Sequence, residues 1–405
     1  MTTPEITLHP EVDMRLNLLD RALAQAKLPE AIGYAHDMWR FVSGQDASLA
    51  YYLNQQLPAG WMDGAVAAEA ADGLIVNQPT DGVIGIALGP NGVWRRIDIN
   101  GHTLAVTPAT FDDHPVWGRM RRVVTDVAVC TVEIPHFWLR TEFRGEERMW
   151  WVSPREREGF ELHPAFLTCE GRSCAVLRVG QYLASDCDGV VKVTAPSTPW
   201  TGITIDEARA KCEALGKGWR MWSIYDLAAV QLLALIEMGT PDMQDAIARG
   251  NVDGGGVKPT GDSGAVWRGI HDLWGNVWQF TDGLRVTADG VIEVWHEHLP
   301  GSQAWVNTGV AYGPNKDDGF PSDLHIDRGR NFNLSFLFLP SEVTDDREDA
   351  IIPDYVWGRW ADREAIAISG GNWFNGAFAG VFALNLHHAR SDSGSTFGFR
   401  PAFAF

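Results

Sequence analysis

The residues best equipped for chemistry are gathered near the end of the chain. Between 374 and 396 stand Phe374, Asn375, Phe378, His387, His388, Asp392, Gly394, Ser395 and Thr396. Together they offer two large apolar rings, two imidazoles, a carboxylate, two hydroxyls and an amide. Metal ligation, acid–base catalysis and recognition could each use such a set. Adjacent residues on a strand face opposite ways, so His387 and His388 are not expected to share a metal, and no carboxylate partner completes a ligand set. His296 and His298 in "HEHL" have no better spacing. His163 precedes Pro164 without a nucleophile or carboxylate at a recognisable spacing, so a structural role is expected for it. The acidic "NKDDGFPSD" lacks EF-hand spacing, and Asp317, Asp318 and Asp323 are expected on a solvated loop rather than around Ca²⁺. No catalytic residue, metal or cofactor is assigned.

Recognition fits the residue types better. Phe374 and Phe378 would bring rigid apolar area at low entropic cost, as interface anchors do. Asn375, His387, His388, Asp392, Ser395 and Thr396 would supply adaptable donors and acceptors, in the manner of antibody loops. The competing readings are core packing for the two Phe residues and a hydrogen-bonded surface role for the histidines. These positions interrupt a framework of another kind: Gly370, Gly371, Trp373, Gly376, Val381, Phe382, Ala383, Leu384, Leu386, Ala389, Arg390 and the closing "GFRPAF".

The elements that must hold such a set can be read from the rest of the chain. With 405 residues and 45% hydrophobic content, it can bury at least one large core, and two or three domains are expected. The formal charge is −19, which repels phosphate backbones and anionic lipid, so nucleic acid and membrane surface are poor partners. No apolar run is long enough for a membrane span, and the start has no basic-then-apolar signal pattern. Synthesis in the cytoplasm without a signal peptide is the expectation. Five cysteines at irregular spacing suit reduced, structural thiols rather than a disulfide framework. Eighteen Trp and eighteen Phe suit a loop-rich core or a protein whose work is binding.

Residues 8 to 28 carry a helical apolar stripe that could seat an oligomer helix, and short strand-like runs follow from 64 to 110, including "GVIGIAL", "VWRRIDI" and "HTLAVTP". These make an N-terminal helical and β module, residues 1 to 115, for attachment or assembly as a homo-oligomer. "VAVCTVEIPHFWLRTEF" and "ERMWWVSP" continue as paired strands. The spacing predicts helices over 203–217 and 223–238, the second opened by Ser223 with Asp226 in a capping-box arrangement and apolar almost all round. Residues 299 to 355 read as a long loop.

Three ordered motifs carry a resemblance. "GITIDEARAKCEALGKGWRMWSIYDLAAV", "HDLWGNVWQF" and "ISGGNW" with "ARSDSGSTFGFR" resemble the formylglycine-generating-enzyme type of C-type lectin fold. The resemblance implies an α+β C-type lectin-like domain over 116–405. In it Trp274, Gly275, Asn276, Trp278, Gly371, Trp373, Arg390, Gly398, Phe399 and Arg400 are scaffold. An oxidase of that class needs two late thiols for copper, and nothing after Cys212 is a cysteine. A sulfoxide synthase needs a His-x-x-x-His-x-Glu iron motif, which is missing.

The closing segment, about 370 to 400, resembles the variable region of diversity-generating retroelement target proteins. In these, adenine-specific copying errors randomise chosen codons. Phe, Asn, His, Asp, Gly and Thr at 374, 375, 378, 387, 388, 392, 394 and 396 all follow from AAC by adenine changes, and Ser395 follows from ACC. The implied function is a non-enzymatic, diversified binder of a protein or glycan receptor on another cell or particle. Placement on a phage or prophage tail-like particle, or virion, fits the missing signal pattern, because tail parts assemble inside the host. An enzyme of the formylglycine-generating or sulfoxide-synthase class, and a fixed-specificity structural tail protein, are the alternatives.

Overall fold

A computed structural model describes residues 82–126, 128–167, 172–295, 305–312, 318–325, 332–358 and 362–404. The apolar stripe at 8–28 and the "HEHL" histidines lie outside these. Two compact units divide the chain, Met1–Asn77 with Ala105–Thr110, and Gln78–Leu104 with Phe111–Phe405. Everything below concerns the second.

That unit is mixed helix and sheet, mostly β, and its described residues form three sheets of five or more strands besides two two-stranded ones. The first runs Trp94–Ile97, Ile84–Leu88, Glu147–Ser153, Trp138–Arg144, Glu161–Leu162, all antiparallel. The Ile84–Leu88 and Trp94–Ile97 hairpin, grouped above with the N-terminal module, therefore pairs with Glu147–Ser153. Its alternation buries Val83, Ala87 and Ile97 against Met149, Trp151 and Phe160. "HTLAVTP" contributes one bridge at Thr103 and no strand. The second sheet runs Trp219–Met221, Pro401–Ala404, Val176–Gly180, Val129–Pro135, Arg121–Asp126. The third runs Trp305–Ala311, Val291–Trp295, Trp278–Val286, Ala365–Ser369, Leu384–Asn385, Val356–Trp357, with Phe397–Gly398 parallel to Trp278–Val286.

Two helices carry the caps expected of them. Ile205–Glu213 starts at Thr204, whose hydroxyl and Glu207 form a capping box. Ile224–Met238 starts at Ser223 with Asp226 in the same arrangement and ends at Gly239 in the left-handed region, φ +70°. Residues 224 to 236 are buried without interruption, as an all-round apolar helix must be. Asp226 also binds Arg220 through both oxygens in a buried pair.

The segment from 299 to 355 departs from the loop expected of it. Among its described residues are the strands Trp305–Ala311, Phe320–Leu324 and Pro340–Thr344. Their Gly, Pro and Asp content hides them, because pairing partners rather than local preference hold them extended.

The aromatic content is largely core. Buried indoles at Trp117, Trp150, Trp151 and Trp222 donate to the distant carbonyls of Leu233, Ser335, Asp98 and Phe280 at 2.6–3.0 Å. A fold rich in irregular connections satisfies loop carbonyls this way. His163 is structural: its Nδ1 accepts from the Ala165 N–H at 3.2 Å, its ring lies among Phe137, Phe166 and Phe336, and burial lowers its pKa to about 3. Cys130, Cys174 and Cys212 are buried free thiols, and Cys187 is half-buried.

Candidate ligand-contact surface

The closing segment stitches two sheets together. Leu384–Asn385 and Phe397–Gly398 belong to the third sheet, and Pro401–Ala404 lies in the second between Trp219–Met221 and Val176–Gly180. The nine nominated positions fall on two connections: Phe374, Asn375 and Phe378 between Ala365–Ser369 and Leu384–Asn385, and His387 to Thr396 between Leu384–Asn385 and Phe397–Gly398. His387 and His388 are thus on a loop, not on a strand as the sequence suggested.

Both loops are anchored on the "WGNVW" turn. Gly275 and Asn276 have φ of +71° and +64°, the latter tolerated by Asn better than by most side chains. Asn276 is buried; its side chain bonds Asn251 and both the N–H and C=O of Lys258. Its own carbonyl accepts from the Trp373 N–H at 3.1 Å, and Gly275 N–H reaches the Gly370 carbonyl at 3.0 Å. At the other end, Trp278 N–H donates to the Thr396 carbonyl at 2.8 Å. Trp274 and Trp278 are buried beneath the turn.

Beyond the loops the chain closes on Arg400, which is fully buried. It donates to Gln279 Oε1 and to the carbonyls of Gly180, His271 and Asp272 at 2.6–3.1 Å. Burial lowers its pKa to about 10, opposed by nearby Asp272. Arg390 is exposed yet held: it bonds Asp206 at 2.6 Å, and Asp206 and Asp282 share Arg209, linking the second loop to the Ile205–Glu213 helix. Phe399 and Gly398 are buried, and a Cβ on Gly398 would meet Val277 at 2.9 Å.

None of the nine positions is buried. Phe374 and Phe378 are 57% and 43% exposed, which removes core packing as their explanation. Ser395 is exposed, and Asn375, His387, His388, Asp392, Gly394 and Thr396 are half-buried. Between the two groups, Val381 to Leu386 form an unbroken buried run, and Phe397 to Arg400 are buried again. Exposure is not unique to the nine, since Arg390, Ser391 and Ser393 share it.

Each exposed group has a defined seat. Phe378 stacks on Tyr355 at 4.6 Å with 21° between planes, and meets Phe320 and Trp357 edge-on. Phe374 sits edge-on to half-buried Trp373 at 4.9 Å. Asn375 Oδ1 accepts from the Asn372 N–H at 2.7 Å. His387 Nε2 lies 3.2 Å from Asp318, and His388 Nδ1 lies 3.3 Å from Asp392 with its ring on Phe397. The two imidazoles therefore address different carboxylates. Burial lowers the pKa of both, against the opposing pull of Asp318 and of Asp392 respectively.

Asp318, weighed above only for Ca²⁺, and Tyr355 come from the segment read as loop, Trp357 lies just past it, and none of the three was placed beside these positions; Tyr355 N–H donates to the Phe378 carbonyl at 3.1 Å. An aromatic–x–aromatic pair, "DYVW", was the one local signal available.

No family model matches this chain, and no curated protein does. Among solved structures it is similar to PvdO from Pseudomonas aeruginosa, at 14% identity over 71% of this chain and 98% of that one, TM-score 0.33. It is similar to Treponema denticola variable protein 1, at 11% identity over 71% and 99%, TM-score 0.34. The Major Tropism Determinant P3c variant is also similar, at 12% identity over 79% and 71%, TM-score 0.30. Variable and tropism-determinant proteins thus stand among the structural neighbours of this chain, at low identity and low TM-score.

Proposed function

We propose that residues 370 to 400 form a diversified ligand-contact surface on a C-type lectin-like scaffold. Phe374, Asn375, Phe378, His387, His388, Asp392, Gly394, Ser395 and Thr396 are its exchangeable positions. The observation that carries this is the contrast between two kinds of glycine. Gly371 has φ +80° and a Cβ there would lie 2.6 Å from Ala379, and one on Gly380 would lie 2.0 Å from the Asp354 carboxylate. Gly394 has no such φ, and its Cβ would find the Phe397 ring at 3.6 Å, an ordinary contact. A side chain is thus accommodated at Gly394 and crowded at Gly371 and Gly380.

The chemistry is recognition. Covering the exposed half of Phe374 and of Phe378 with a ligand would contribute on the order of 1 kcal/mol each, while the imidazoles, Asn375, Ser395 and Thr396 set orientation. The preferred partner is a protein or glycan receptor on another cell or particle, met from a phage or tail-like particle, with the N-terminal module serving attachment or oligomer assembly. Retroelement mutagenesis of the nine codons is the proposed source of diversity. A display library randomised at these nine positions tests the reading. It is expected to keep most members folded and to yield binders to an arbitrary protein such as hen egg-white lysozyme. Wholesale loss of folding would refute it.

A further inference from the structure

The ring of Phe378 lies in a box of other aromatic rings. Tyr355 stacks against one face of it at 4.6 Å and 21°. Phe320 stands steeply beside both rings, 5.5 Å from Phe378 at 73° and 5.0 Å from Tyr355 at 89°. Trp357 stands beside them too, 6.2 Å from Phe378 at 69° and 4.8 Å from Tyr355 at 62°. Stacked and edge-to-face contacts at roughly 4.5–7 Å are the arrangements that aromatic rings favour. Toward solvent the box is open, since Phe378 is 43% exposed.

The walls do not depend on the ring they hold. Val356 and Gly319 exchange both backbone hydrogen bonds, at 2.8 and 3.0 Å, and the Trp357 carbonyl accepts from the Leu386 N–H at 2.9 Å. Trp357 is backed by buried Trp278, 5.1 Å away at 84°, and Phe320 is only 4% exposed. The backbone at 378 is pinned as well, by bonds that use nothing of its side chain. Phe378 N–H donates to the Asn375 carbonyl at 3.0 Å, the Phe378 carbonyl accepts from the Tyr355 N–H, and the Gln244 amide donates to the carbonyls of Gly376 and Ala379. Neither Gln244 nor any wall residue is among the nine positions.

We infer that Tyr355, Phe320 and Trp357 form a fixed aromatic box, plugged in this chain by Phe378, that takes an aromatic side chain of a protein partner whenever a short residue stands at 378. The inference rests on the reading of 378 as exchangeable and adds a partner class to it. The Phe378 ring is itself the stand-in for the ligand, since its place in the box is the place a partner's ring would take. A sugar fits less well, because hydroxyls around its rim would be pressed against the Phe320 and Trp357 rings without hydrogen-bond partners. Exchange at one position thus switches the surface between presenting a ring and accepting one.

Titration of the full chain carrying Phe378→Ala with benzyl alcohol, followed by NMR at the Trp357 indole, tests this. Saturable shifts are expected in the variant and none in wild type, whose box is filled. Cyclohexylmethanol, of similar size but not aromatic, is expected to bind at least about threefold more weakly, and methyl glucoside not at all. Tyr355→Ala in the same background is expected to abolish the shifts. Phe378→Ser serves as a second variant, and both are expected to keep the wild-type fold, read from the rest of the spectrum. Failure of both to fold, no saturation in a folded variant, or wild type binding as well as the variant would each overturn the inference. So would cyclohexylmethanol or methyl glucoside binding as tightly as benzyl alcohol. An invariant codon 378 would remove the diversified reading and leave the measured binding standing, whereas a box that takes no ring leaves exchange at the nine positions untouched.

Discussion

A Cβ placed on Gly380 would lie 2.0 Å from the Asp354 carboxylate, which itself accepts a 2.8 Å hydrogen bond from the Phe382 N–H. The buried turn 380–382 is thereby clamped between the two loops that carry the nine positions. Gly380→Ala is expected to cost about 1–3 kcal/mol, since the buried Asp354 carboxylate must shift and give up the Phe382 N–H. Gly394→Asn is expected to stay within about 0.5 kcal/mol of wild type. Urea unfolding of the two variants checks the contrast, and equal losses would count against it.

Asp354 also sets a pH dependence. Burial raises its pKa well above 3.8, despite the Phe382 N–H. The folded state therefore binds a proton that the unfolded state releases, and stability falls as pH rises from about 3.8 toward the raised folded value. Asp354→Asn keeps an acceptor for Phe382 without the charge. Its stability is expected to be flatter with pH over that window, measured by thermal melts at a series of pH values. An unchanged slope would exclude Asp354 as the cause.

The histidines titrate in the opposite sense. Their lowered pKa values mean that the folded state favours the neutral rings, so their contribution to stability is present above 6.5 and is lost as pH falls below it. NMR titration is expected to put both midpoints under 6.5. Asp392→Asn should lower that of His388 further, because Asp392 is what opposes the desolvation. A midpoint that rises in this variant would contradict the assignment.

Arg400 joins the two sheets through four acceptors, and Arg400→Met would leave the Gly180, His271 and Gln279 oxygens without this donor in the core, while the Asp272 carbonyl keeps the Gln279 amide N–H. A loss of at least about 3 kcal/mol is expected, at about 1–3 kcal/mol for each buried group left unsatisfied. Calorimetric melting measures it; a loss under about 1 kcal/mol would mean that water or rearrangement replaces the network.

What the sequence disclosed follows physical locality. Thr204 and Ser223 announce their helices because a cap lies within three residues of its partner. Gly275 and Asn276 announce a turn because few other residues adopt positive φ. The exposure of Phe374 and Phe378 was left open between core and surface, since an aromatic residue alone carries no burial label. Asp318, Tyr355 and Trp357 were invisible as members of the surface: they meet Phe378 and His387 only through the third sheet and its loops, across dozens of residues, with no local period to mark them. The Ile84–Leu88 hairpin was separated from its sheet for the same reason, its partner Glu147–Ser153 lying some sixty residues on.

On the proposed reading the nine positions between 374 and 396 are exchangeable and the buried residues between them are not. Deep sequencing of codons 368 to 402 across a growing population, with the flanking DNA searched for a near-copy of the segment, tests it most directly. Substitutions are expected at Phe374, Asn375, Phe378, His387, His388, Asp392, Gly394, Ser395 and Thr396, confined to template adenines, with Val381, Phe382, Leu384 and Leu386 unchanged. An invariant segment without a template, or changes spread equally over the buried framework, would contradict it.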